Sequence, residues 1–176
     1  MVGSFIFFIF ISISIINSLL LLYTFLFFIF SENIAYIIYS LVNKQDANGH
    51  VYNDVLTDAA IMGFDGAEWA KTAGLSVTKA EVDRLNNIFK QSGTNSIPST
   101  TLGGKKYQVT HYDGNAAYLK IKDGGATVAK TNKCYVIGVY NTTKKYKYDG
   151  KELPQCVGMC NMVVEDLANT LKGMNY

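Results

Sequence analysis

The chain has 176 residues and a formal net charge of +2, room for one ordinary domain plus an appendage. Its first 43 residues carry a single charge, Glu32, so residues 44–176 hold sixteen basic and thirteen acidic side chains, a net of +3. That mild excess favours an anionic partner surface and excludes the strongly basic character of a nucleic-acid-binding domain.

Residues 1–31 contain no charge at all. Phe5 to Phe30 is long enough to span a bilayer, which takes about 20 apolar residues. It lacks the basic start and small-residue cleavage site of a secretory signal, and no Lys or Arg cluster flanks it to set an orientation. Its makeup, almost entirely Phe, Ile, Leu and Ser, is also what A/T-rich non-coding DNA yields on translation. Two readings stand: a single membrane span, or a mis-assigned first exon.

From Glu32 the character changes. "ENIAYIIYSLV" places Ile34, Ile37, Ile38 and Leu41 at helical spacing, and "NKQDANGHVYND" reads as a polar loop. "DAAIMGF" is expected as a buried strand, Asp65-Gly66 as a hairpin turn and "AEWAKT" as the returning strand. Thr78 with Glu81 three residues later forms a capping-box pattern. It opens a helix whose apolar stripe is Val82, Leu85, Ile88 and Phe89 and which Gly93 ends. From Thr101 onward, "KKYQVTHY", "NAAYLKIKD", "GATVAKTN" and "CYVIGVYN" predict an antiparallel meander joined by short turns. Gly103-Gly104 and Gly124-Gly125 are read as turn glycines. A polar hairpin, "TTKKYKYDGKELP", precedes a last helix with Met159, Met162, Val163, Asp166, Leu167 and Leu171 along its spacing. The fold class is α+β, a central antiparallel sheet with helices near both ends and one between.

Little in this pattern is catalytic. There is no nucleophile elbow, P-loop, zinc-protease motif or dinucleotide-binding glycine run, and His111 has no nucleophile arranged beside it. The chain is read as a non-enzyme without cofactor or metal. Cys134, Cys156 and Cys160 are an odd number with no histidine near them in sequence, too few for a zinc site and best read as buried reduced thiols.

Two features carry binding. Trp69, the only tryptophan, stands on a short strand, with Tyr36 on the first helix and Tyr176 at the end of the chain. Aromatics gathered from both ends suit a polyproline II ligand; Trp69 as simple core is the competing reading. Lysines at 105, 106, 120 and 122, then 144, 145 and 147, alternate along neighbouring strands. They present positive charge to an acidic protein or an anionic headgroup, or else solvate sheet edges.

In that order and at roughly these distances, "DAAIMGFDGAEWAKTAG", "TLGGKKYQV", "DGGATVAKT" and "CNMVVEDLANTL" resemble profilin, over about Asp58 to Tyr176. The resemblance implies a central antiparallel sheet with the N- and C-terminal helices on one face and a further helix on the other. It implies a cytoplasmic, cytoskeletal protein that binds monomeric actin, promotes its nucleotide exchange and regulates polymerisation. Proline-rich proteins such as formins, and phosphoinositide headgroups, are the other implied partners. Carried over by position, the actin face uses Lys106, Gln108, Val109 and His111, then Gly158, Asn161, Met162 and Glu165, with Lys120 or Lys122 near the acidic partner and Val109 and Met162 at an apolar centre. The phosphoinositide set is Lys105, Lys106, Lys120 and Lys122. The proline site is implied at Tyr36, Trp69 and Tyr176.

The chain departs from the family at that last site. Asn33 stands where a tryptophan belongs and Thr170 where His or Tyr is usual, and a lost stacking ring costs on the order of 2 kcal/mol. Weak proline binding is therefore expected. The resemblance fades near Tyr36, which sets the domain at residues 32–176 and favours a mis-assigned exon for the leader; a real leader would anchor the domain to a membrane and, if lumenal, expose the sequon Asn141-Thr142-Thr143 to glycosylation. Two alternatives from other classes are a membrane-anchored ligand-sensing domain and a phosphoinositide-binding module without actin activity.

Overall fold

The computed structural model describes Val42, Lys44–Gln45 and residues 49–90 and 99–176. The leader, Asn33, Tyr36, Gly93 and the expected first helix, of which Val42 alone is seen helical, lie outside the described residues. In chain order come β1 (Lys44–Gln45), β2 (Val51–Asn53), β3 (Asp58–Gly63), β4 (Glu68–Lys71), helix α1 (Lys79–Lys90), β5 (Ser99–Leu102), β6 (Lys105–Tyr112) and β7 (Ala116–Ile121). They are followed by β8 (Gly124–Lys130), β9 (Cys134–Asn141), β10 (Lys145–Tyr148), β11 (Lys151–Pro154) and helix α2 (Val157–Gly173).

Seven strands form one antiparallel sheet in the order β4-β3-β9-β8-β7-β6-β5, and four form a smaller one in the order β1-β2-β10-β11. The expected meander is β6 to β9, each strand paired with the next. The β3–β4 turn is closed by Asp65, whose Oδ1 accepts the Ala67 N–H at 2.9 Å, with Gly66 at φ 87°. The β5–β6 turn needs Gly103 and Gly104, at φ 58° and 73°, because a two-residue hairpin loop of this hand puts both residues in the left-handed region.

The sheet separates two cores, and the strand period of two decides which residue enters which. Ala60, Met62, Leu119, Ala126, Val128, Tyr135 and Ile137 pack with Val82, Leu85, Ile88 and Phe89 of α1. Ala59, Ile61, Ala129, Cys134 and Val136 pack with Cys160, Val163, Val164, Ala168 and Leu171 of α2. The capping box is made as expected: Glu81 Oε2 accepts the Thr78 N–H at 2.9 Å while Thr78 Oγ1 accepts the Glu81 N–H at 3.3 Å. Glu81 Oε1 accepts the Gly104 N–H at 2.9 Å, which ties the start of α1 to the β5–β6 turn. Burial alone would raise the Glu81 carboxyl, but the Thr78 and Gly104 N–H donors outweigh it and hold the pKa below its ordinary value.

Four expectations need correction. The "polar loop" contains β1 and β2, since Tyr52 and Asn53 find partners in Tyr148 and Lys147 of β10. The strand region opens at Ser99 with β5, before Thr101. Gly124 and Gly125 are not turn residues; they lie in β8, where a Cβ would stand 2.3 Å from the carbonyl oxygens of Tyr140 and Leu119 respectively. The inward face of α2 is set by Cys160, Val163, Val164, Ala168 and Leu171, while Met162 is exposed and Met159 and Leu167 are only partly covered. Gly138 explains the rotation: a Cβ there would meet Val164 Cγ2 at 2.4 Å, so its absence lets that turn of the helix sit directly on β9. Cys134 and Cys160 are buried thiols, but Cys156 is only half-buried. Burial pushes the Cys160 thiol up to about 12. Among the described residues no helix is long and apolar enough to cross a membrane.

Candidate partner-binding surfaces

Helix α2 lies against β8 and β9 and leaves the neighbouring part of the same sheet face to β7, β6 and β5. What stands there follows from register. Gln108 pairs with Lys120, Val109 with Leu119 and His111 with Tyr118, with a bulge between Val109 and His111. The extra residue, Thr110, resets the alternation, so Gln108 and His111 share a face although they are three apart. Lys120 and Tyr118 lie on that face too, and Gln108, His111 and Lys120 are all exposed. Lys106, two residues before Gln108, belongs to the same side, and Lys122 follows Lys120 into the exposed turn.

The flank of α2 next to this face carries the other expected residues. Gly158 and Met162 are exposed, Met162 to 38%. Asn161 and Glu165, one turn apart, are half-buried because each is held by the sheet. Thr127 on β8 donates its hydroxyl to Asn161 Oδ1 at 2.6 Å, and Tyr118 on β7 donates its hydroxyl to Glu165 Oε1 at 2.8 Å. His111 stacks on the Tyr118 ring, 5.7 Å between centroids at 23°. Burial and the Glu165 carboxylate push the Tyr118 phenol up to about 12. Nearby, burial would raise Asp113, but the Ala116 and Asn115 N–H donors, with His111, hold its carboxyl below the ordinary range.

Two expected members fall elsewhere. Val109 pairs with Leu119 and packs, half-buried, into the core beneath α1, so it shares no surface with Met162. Lys105 adjoins Lys106 in an extended strand and therefore points to the opposite side. Tyr118 and Thr127 were missed because neither is distinctive in sequence; only the register brings each beside α2.

At the other edge of the sheet, Trp69 on β4 and Tyr176 meet edge to face, 6.1 Å apart at 79°. Trp69 is partly buried against the α2 core rather than enclosed by it. The chain end is pinned: the Tyr176 N–H donates to Leu171 O at 2.9 Å and its carbonyl accepts the Asn132 N–H at 2.8 Å. The Lys133 ammonium lies 5.3 Å from the centre of the Tyr176 ring. Among the described residues no group of three or more His, Cys, Asp or Glu is placed to hold a metal ion.

The profilin family model matches residues 35–176. A profilin of Tetrahymena pyriformis is 35% identical over 130 residues, which is 64% of this chain and 83% of that protein. The chain belongs to the profilin family. Among solved structures, Acanthamoeba castellanii profilin II has 33% identity and a TM-score of 0.59, covering 69% of this chain and 89% of that one. Profilin IB of the same organism has 31% identity at the same TM-score, with 69% and 89% covered. Within this profilin, the sheet face and the α2 flank coincide with the positions the sequence resemblance marked for actin, apart from Val109. Of the proline-site rings, Trp69 and Tyr176 are brought together. Thr170 is exposed and spends its hydroxyl on the Asp166 carbonyl at 2.9 Å.

Proposed function

We propose that this profilin binds monomeric actin through the open β6–β7 face and the adjoining flank of α2, and so regulates polymerisation and nucleotide exchange. The family is one of non-enzymatic actin-binding proteins, and the observation that carries the assignment to this face is the Thr110 bulge. It puts Gln108, His111 and Lys120 on one strand face, which the Tyr118–Glu165 contact joins to the α2 flank of Asn161, Met162 and Glu165, a polar surface with one exposed methionine and exposed lysines. That composition fits an acidic protein partner. Lys106, Lys120 and Lys122 of the same side form the proposed phosphoinositide contact, which makes lipid and actin competitors. Trp69 and Tyr176 form the proposed contact for proline-rich ligands, including formins, weakened by Asn33 and Thr170. The domain is proposed to span residues 32–176 and to work in the cytoplasm at the actin cytoskeleton.

The test is a fluorescence titration of labelled monomeric actin. The chain binds saturably, and Lys120→Glu weakens binding about 10-fold at low salt, less at high salt, with no change in melting temperature. A deca-proline titration gives weak binding, which Trp69→Ala abolishes. The ligand-sensing alternative needs an apolar pocket within the sheet, but side chains of α1 and α2 fill both faces over β3, β8 and β9. The lipid-only alternative predicts vesicle binding with no actin titration at all.

A further inference from the structure

The contact between Tyr118 and Glu165 joins β7 to α2 across 47 residues of sequence. It lies at the rim of the open face. We infer that Tyr118 is a positioning residue of the actin site: it fixes the Glu165 carboxylate in the orientation in which actin meets it. This rests on the actin-binding reading above and names a residue that reading did not include.

Three observations bear on it. The Tyr118 ring is itself held, by register against His111 and by the parallel stacking of the two rings at 23°, so its hydroxyl arrives at a defined point. The phenol stays protonated far above neutral pH, so toward the carboxylate, which can only accept, it is the donor and occupies one oxygen. Among the described residues Glu165 Oε2 has no hydrogen bond, and it is left as the acceptor available to a partner. The neighbouring pair repeats the arrangement one turn earlier: Thr127 occupies Asn161 Oδ1, which leaves the Asn161 Nδ2 donor. The helix flank thus offers a donor and then an acceptor, one turn apart, each with its other atom anchored to the sheet. The complementary partner surface presents a hydrogen-bond acceptor opposite Asn161 and a cation or N–H donor opposite Glu165.

A strut and a positioning device differ in what their loss does. At a half-exposed site a strut supports the fold modestly. A positioned carboxylate has already lost rotamer freedom that binding would otherwise have to remove. The experiment is a double-mutant cycle on monomeric actin affinity with wild type, Tyr118→Phe, Glu165→Ala and the double variant, with the melting temperature of each. Tyr118→Phe is expected to weaken actin about 5-fold, to shift melting by no more than about 2 °C, and to add less than about 2-fold in the Glu165→Ala background. Unchanged or tighter binding by Tyr118→Phe overturns the inference. So does an equal loss in both backgrounds, which would place the action of Tyr118 elsewhere.

A wild-type chain that does not bind actin defeats the functional reading instead, and a second measurement then judges the contact by itself. In tyrosine ring-carbon NMR, the resonance missing from Tyr118→Phe should titrate near 12 in wild type and distinctly lower in Glu165→Gln. A lower midpoint upholds the anchoring of Glu165; an unmoved one overturns it.

Discussion

Strands β6 and β7 carry two surfaces of opposite character on the same backbone. Toward α1 they present Tyr107, Val109, Ala117, Leu119 and Ile121, buried or packed into the core. Away from α1 they present Lys106, Gln108, His111, Tyr118 and Lys120, exposed or half-exposed. The strands do not make this difference; an antiparallel strand always has two faces. It arises from where the helices lie. Contacts of α1 reach the edge of the sheet at β5, while those of α2 centre on β8 and β9. The region α2 leaves uncovered can be polar without cost to the fold, and there a partner can dock.

The contrast predicts that changes on the covered side act on stability and leave binding alone. Leu85 is fully buried in α1, so Leu85→Ala should cost about 3 kcal/mol in chemical denaturation. The variant that remains folded should bind actin as wild type does. A loss of affinity at full folding would mean that the two faces are coupled and would break the comparison.

Glu81 sharpens it through pH. Its two oxygens serve the α1 cap and the β5–β6 turn, so Glu81→Gln should cost about 1–2 kcal/mol near neutral pH. Its folded pKa lies below the ordinary 4.5. The stability it contributes is therefore present above that value and is lost as pH falls through the lower, folded one. Denaturation followed from pH 7 to pH 3 should show a shallower acid decline in the variant. Parallel curves would mean that the carboxylate is not what holds the turn.

Much of this architecture was legible in the sequence, because local chemistry dictated it. Thr78 and Glu81 announce a helix start, Asp65-Gly66 a tight turn, and the meander reads off its alternating apolar residues. The four-stranded sheet was not legible. β1 and β2 are two and three residues long; β2 is a strand because β10, some ninety positions later, lies beside it, and β1 pairs in turn with β2. Which face of α2 turns inward was not legible for a similar reason: its seating depends on Gly138, on a different element. At the proposed binding face the positions marked by the resemblance on β6 do not all share a side, because the Thr110 bulge turns Val109 away from Gln108 and His111. A period-two reading carries no information about where a strand gains one residue.

That bulge yields the finest test. A strict alternation that counts from His111 places Val109 on the actin-facing side, and the sequence resemblance put Val109 and Met162 together at an apolar centre. In the structure Val109 packs under α1, while Met162 is 38% exposed on the α2 flank. Val109→Ala should therefore cost about 1 kcal/mol of stability and change actin affinity by less than about 2-fold. Met162→Ala should show the reverse, an affinity loss of about 5-fold with stability within about 0.5 kcal/mol of wild type. Both effects are small enough that neither variant should unfold, so denaturation and titration can be read on the same samples. If Val109→Ala behaves like Met162→Ala, β6 runs without its bulge at the binding face. Gln108 and His111 would then stand on opposite sides, and the proposed surface would lose one of its two strands' contributions.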